Sequence, residues 1–242
     1  LIIFLTSWNF AINLALPFLT VFMLRTLGMD MSTVVMLTVI QQLTSLCFFR
    51  IWGRLSDRYS NKSMLRVSGP LMIASFALWA SLAMFGGTAI VLPMAVGIHV
   101  LLGMSTAGVN LATSNIGLKL APRGKATAYL ASSSLFSQLA SAISPLIGGM
   151  ISQAFHGWEY FFLVAFLLGI FALHRLTKVR EDGEVHQKVV AREFVEEVRS
   201  SMSPSSLKAG VQMVAAGLTA PVARRRKHRN RGEMLPIFNF WR

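Results

Sequence analysis

The chain has 242 residues, of which 54% are apolar and 14% charged, with 23 Lys and Arg against 10 Asp and Glu for a net charge of +13. Soluble domains carry about 25% charged residues, so this composition excludes an ordinary cytosolic enzyme. The single cysteine, Cys47, also excludes an internal disulfide framework and an all-cysteine zinc cage. An apolar chain with excess positive charge is either a membrane protein with basic flanks or a nucleic-acid binder with a large core. The placement of the charges separates the two.

A bilayer core is crossed by about 20 mostly apolar helical residues. Charge-free runs in chain order predict six spans, near 1–24, 31–50, 67–86, 90–118, 126–153 and 157–176. The third and fourth come from one long run divided at Gly86-Gly87-Thr88 and Pro93. The sixth has a short uncharged centre, which implies Trp158 at one interface and His174 and Arg175 snorkelling at the other. The chain opens at Leu1 inside an apolar run, without Met or a basic leader. That is no secretory signal, and it is read as a polypeptide whose beginning lies upstream.

The connections alternate in charge. Residues 50–66 carry Arg50, Arg54, Arg58, Lys62 and Arg66 against Asp57, and 119–125 carry Lys119, Arg123 and Lys125. Together with the segment from Arg175 onward they hold 22 of the 23 basic residues, leaving Arg25 on the other side with Asp30, His156 and Glu159. The positive-inside rule therefore places 50–66, 119–125 and the tail in the cytoplasm. A soluble helical core would not segregate its charges this way.

Polar groups inside a bilayer normally face protein or a water-filled cavity. Span one carries Thr6, Asn9, Asn13, Pro17 and Thr20 at helical spacing. Span two carries Thr38, Gln41, Gln42 and Ser45; span four, His99, Gly103, Ala107, Asn110 and Ser114, with Asn115 adjacent; span five, Ser134, Gln138, Ser141, Pro145 and Gly148. Span three offers small hydroxyls and Pro70, and span six is almost purely apolar. Spans one, two, four and five thus read as protein- or cavity-lined, and three and six as lipid-facing. Membrane Asn and Gln also serve simply to hold neighbouring helices, and the row Ala140, Ser144 and Gly148 points to close helix packing. His99 is the one residue within a span, away from its ends, that titrates near neutrality; no Asp or Glu lies inside any span.

The segment Gly53-Arg54-Leu55-Ser56-Asp57-Arg58-Tyr59-Ser60-Asn61-Lys62 resembles the signature loop of the major facilitator superfamily, and stands between the second and third spans as it does there. Pro122-Arg123-Gly124 resembles that family's entry to the fifth helix, and Ser144-Pro145-Leu146-Ile147-Gly148-Gly149 its glycine-proline helix, with Ser144 in place of the first glycine. His99, followed by Gly103, stands where N-terminal halves of the family carry an arginine. That departure, with the exit from span six into a terminal tail, favours helices seven to twelve of a twelve-helix carrier.

The resemblance implies an all-α membrane protein, a six-helix half of a transporter bundle with a basic cytoplasmic tail. It implies Asn9, Asn13, His99, Asn110 and Asn115 along a substrate path. It implies Gln41, Gln42, Ser137, Gln138 and Ser141 at the interface between halves. Gly53, Asp57, Arg58 and Lys62 would form a cytoplasmic gating loop, Asp57 meeting a helix N-terminus of the opposite half; the plainer alternative is a local pair of Asp57 with Arg54 or Arg58. Alternating access needs two halves around a midplane site. The partners implied are membrane lipids, a small solute, and a second six-helix half or second copy, in a bacterial inner or plasma membrane.

The tail, 177–242, has 13 Lys and Arg against 7 Asp and Glu. Val190, Phe194 and Val198 recur every four residues among Glu193, Glu196 and Glu197, which predicts a short amphipathic helix near 187–200 on the cytoplasmic surface. The run 224–231 is polybasic and suits anionic lipid; the rest of the tail reads as disordered, and nucleic acid is not expected as a partner. Gly124-Lys125-Ala126-Thr127 is not a phosphate loop, since Lys119 stands at the earlier glycine and Ala126 where Ser/Thr is required. No cofactor or metal is implied, since the five histidines are isolated, and no nucleophile–base motif argues for an enzyme. The expected function is secondary active transport of a small solute. The alternatives are a non-transporting membrane scaffold or receptor with a lipid- or partner-binding tail, and a truncated, inactive fragment.

Overall fold

The structure is a computed structural model that describes residues 1–84, 90–154 and 157–201. The predicted link at Gly86–Thr88, His156, and the tail from Met202 on, including the basic run 224–231, lie outside the described residues. Helices α1 (Ile2–Arg25), α2 (Met31–Arg58), α3 (Asn61–Ala83), α4 (Val91–Leu120), α5 (Ala126–Ala154) and α6 (Trp158–Thr177) are each long and apolar enough to cross a membrane. A seventh helix, α7 (Gln187–Ser201), is amphipathic, and there is no strand among the described residues. The molecule is all-α, with the six spans in the predicted order.

The helices outrun the charge-free segments. Residues 50–66 are not a loop: Arg50, Gly53, Asp57 and Arg58 belong to the last turns of α2, and Lys62 to the first turn of α3. Only Tyr59 and Ser60 connect them, both extended, and Ser60 caps α3 by accepting from the Ser63 N–H. Absence of charge marks where the bilayer core ends. A helix stops only where a cap or backbone break satisfies its last groups. At the next basic link, Gly124 adopts φ +77°, a left-handed turn into α5 that a side chain would strain.

α1 packs on α5 and α6, α4 on α2 and α3, and α3 on α6. Exchanging α1 with α4, α2 with α5 and α3 with α6 returns the same set of contacts. Because α1 and α4 run in opposite directions across the bundle, the two three-helix groups are an inverted repeat. The α3–α6 crossing is reciprocal. A Cβ on Gly69 would meet Leu173, and one on Gly169 would meet Ile73, so each helix supplies a gap for the other's side chain.

The core lies between α1, α3, α4 and α6. Phe22 contacts Trp79, Trp158 and Phe162 with ring centroids 5.3–5.9 Å apart. α3 is therefore among the most enclosed helices, with Ser68, Phe76 and Trp79 fully buried. The opposite face, with Pro70 and Leu78 exposed, stays open, so α3 packs on protein through small and aromatic side chains on one side only. α6 keeps one open apolar stripe at Leu163, Leu167, Ile170 and Phe171. α2 and α5 bury the smallest share of their length. They carry longer exposed stripes, Val35–Val39–Leu43–Leu46 and Leu135–Leu139–Ile143–Leu146.

The compact unit reaches Glu197, twenty residues past the last spanning helix. Residues from Val198 on form a separate unit, of which the described part is the last turn of α7.

Candidate functional site

Two polar regions stand out. The first is a groove of about 280 Å³ lined by Leu5 and Asn9 of α1, Thr113, Ser114 and Gly117 of α4, and Leu130, Ser133, Ser134, Ser137 and Gln138 of α5. It lies towards the end of the bundle where α4 finishes and α5 begins. The Asn9 Nδ2 donates to the Leu5 carbonyl at 2.8 Å, so Asn9 is braced on its own helix. Asn13, one turn on, donates to the Asn9 carbonyl at 2.9 Å and to Ser141 Oγ at 3.1 Å, tying α1 to α5. The groove exists because α5 approaches α1 closely further along. Ala140, Ser144 and Gly148 are buried there, and a Cβ on Gly148 would lie 2.8 Å from the Phe18 ring and 3.0 Å from the Leu14 carbonyl. That row is a packing seam, as its small residues predict.

The structure brings Asn9, Ser137 and Gln138 together at the groove and joins Asn13 to Ser141 beside it. It places the remaining residues elsewhere. Asn115 donates to Ser56 Oγ at 3.3 Å across the α4–α2 seam, and Asn110 is exposed. Gln42 is exposed on α2 and Gln41 half-buried, its carbonyl facing Gly103 of α4. His99 is buried, with Nδ1 2.8 Å from the Ala95 carbonyl and its ring edge-on to Trp79 at 5.6 Å. It faces α3 and not the groove. His99 and Ser114 share one face of α4 by spacing. That face meets α3 at one end of the helix and the groove at the other, because crossing helices change neighbours along their length.

The second region is ionic and gathers at the end of the bundle where α2 finishes and α3 begins. Arg54, Arg58, Lys62 and Arg66 recur every four residues, and each meets a carboxylate from the segment after α6. Arg54 pairs with Glu197 at 2.5 Å and Arg58 approaches Glu193 at 3.5 Å. Lys62 and Arg66 share Glu184, the Lys62 Nζ at 2.8 Å. The Lys62 hydrogen bond, with Arg66 and Lys62 charge beside it, holds the Glu184 carboxyl below the usual glutamate range. The alternative of a local pair between Asp57 and Arg54 or Arg58 is overturned: Asp57 is exposed, and both arginines turn to α7.

Glu181 completes this region. Its side chain is fully buried, yet it accepts from the Asn61 N–H and Nδ2, both at 3.2 Å, and from the Lys62 N–H at 2.6 Å. Lys119 of the next basic link pairs with it at 2.9 Å. A carboxylate at the first free N–H groups of α3 satisfies donors that the helix leaves open and opposes the positive end of its dipole. Charge counting places acidic residues in this tail but could not select Glu181, because its partners are 62 or more residues away in the chain. α7 is anchored beside it by Phe194, which stacks on Trp52 at 4.5 Å. The Trp52 Nε1 donates to the Met104 carbonyl at 2.9 Å. The apolar side of the amphipathic helix, at Val190 and Phe194, is thus buried, Phe194 against α2.

Among the described residues no cluster of His, Cys, Asp or Glu could hold a metal ion. The sequence model of the Major Facilitator Superfamily matches residues 1–237. No curated protein and no solved structure matches the chain.

Proposed function

The chain belongs to the Major Facilitator Superfamily, and from that premise we propose that it supplies one six-helix half of a secondary active transporter working by alternating access. Members of this family are membrane transporters rather than enzymes, and six apolar helices make this chain a multi-pass integral membrane protein. The observation that carries the finer reading is the groove at Asn9. Seven of its ten lining residues are polar, on helices apolar enough to cross a bilayer, where polar side chains face protein or water. The inverted repeat supports it as the internal symmetry of one six-helix half, two such halves rocking about a central site. The exposed stripes of α2 and α5 suit a second six-helix half. Charge placement supports a cytoplasmic position for the basic end and the tail, in a bacterial inner or plasma membrane. The assignment to helices seven to twelve rests on His99 standing in the place of an arginine.

Substituted-cysteine labelling tests the reading. In a Cys47→Ser background, Asn13→Cys, near the midpoint of α1, is expected to react with a membrane-impermeant maleimide added from either side of the membrane. Leu167→Cys on α6 is expected to react from neither. Access to Asn13→Cys from one side only, or from none, would remove alternating access.

A further inference from the structure

Resting on that transport reading, we propose that the groove takes a neutral, multiply hydroxylated solute of about monosaccharide size and discriminates against ions. No Asp, Glu, Lys, Arg or His lines it. On this wall of the path an ion would lose water without meeting an opposite charge, which costs far more than burying a neutral hydroxyl that finds partners.

The second observation is which polar groups are left available. The hydroxyls of Ser68, Ser75, Ser105, Ser141 and Ser144 each return to a carbonyl of their own helix, three or four residues back. Those of Ser114, Ser133, Ser134 and Ser137, and the side-chain amide of Gln138, make no such bond among the described residues, and all five line the groove. Asn9 engages its NH₂ on Leu5 and keeps its oxygen available. A hydroxyl both donates and accepts, and an amide offers one group of each kind. This array therefore matches a ligand that also donates and accepts at several positions. Leu5 and Leu130 supply an apolar flank for its C–H face. Sites built to hydrogen-bond hydroxyls reject analogues that leave those groups unpaired. The volume of about 280 Å³ admits one small molecule, not a chain of them.

The test uses the protein in membrane vesicles, with Cys47→Ser combined with Leu130→Cys or, as a second site, Ser134→Cys. Labelling by a membrane-impermeant maleimide from the basic end is timed with sorbitol, inositol or glucose present. It is timed again with gluconate and glucamine, which keep the six-carbon chain but carry a negative or a positive charge. At least one of the three neutral polyols is expected to slow labelling several-fold at both positions, at concentrations where the two ions leave the rate unchanged. Equal protection by an ion, or protection by none of the neutral compounds, overturns the substrate class while leaving the groove water-filled. Failure of both positions to label at all overturns the transport reading beneath it.

Discussion

At the scale of single residues, Glu181 does the most with one side chain. It closes two backbone donors of α3, the side-chain amide of Asn61 and the ammonium of Lys119. Glu181→Ala leaves buried donors unsatisfied and takes from Lys119 its carboxylate, leaving it the Asp182 carbonyl. It is expected to cost about 3 kcal/mol, read as a lower thermal midpoint of the purified protein. Glu181→Gln, which still accepts but carries no charge, is expected to lose less. Glu184 makes a pH prediction. Its folded-state pKa lies below the usual glutamate range, so its contribution is complete above the unfolded value and disappears as pH falls through the lower, folded one. In carboxyl-resolved NMR Glu184 is expected to titrate below the usual glutamate range, and Lys62→Met to move it back towards that range. Both roles lie across long sequence separations, which is why charge patterns located the basic ladder but not its counter-ions. Asp30 is the local contrast. Ser32 and Thr33 hold its carboxyl down to about 2 from within the same turn, a pattern of neighbours visible in sequence.

At the scale of elements, glycine decides how close two helices come. A Cβ on Gly103 would collide with the Gln41 carbonyl and approach Thr44 at 2.8 Å, whereas one on Gly97 of the same helix meets open space. Gly103→Ala is therefore expected to destabilise the α2–α4 seam by about 1–3 kcal/mol, because backbone cannot yield as a side-chain tip can. Gly97→Ala is expected to be neutral or to stabilise by up to about 1 kcal/mol through helix propensity. Thermal unfolding of the two variants side by side checks both. The existence, order and apolar centres of α1 to α6 were legible because a bilayer demands long uncharged helices. Their ends were not, since Arg54, Arg58 and Lys62 remain helical beyond the apolar core. For α7 the repeat of Val190 and Phe194 was readable, but what covers Phe194 depended on Trp52, some 140 residues earlier.

At the scale of the whole molecule, the open stripes of α2 and α5 and that of α6 are all apolar, yet the transport reading assigns them different neighbours. Cysteines at Leu43, Leu139 and Leu167, each made in a Cys47→Ser background and carrying a fluorophore, separate the cases in membranes containing nitroxide-labelled lipid. Leu167→Cys is expected to be strongly quenched, and Leu43→Cys and Leu139→Cys to be shielded by the second half. Equal quenching at all three would argue against a half-to-half contact on α2 and α5. Sequence by itself determined that this is an all-helical membrane chain with six spans, a basic end and a superfamily signature at 53–62. Each of these follows from one-dimensional constraints: the thickness of the bilayer, the cost of charge within it, and short motifs. Only the tertiary structure decided that Phe76 and Trp79 of α3 lie in the core, that His99 meets Trp79 instead of the groove, and that Glu181 caps α3. Periodicity tells which residues share a face. What that face meets depends on how crossing helices pass one another, and that is settled by the packing of glycines and rings far apart in the chain.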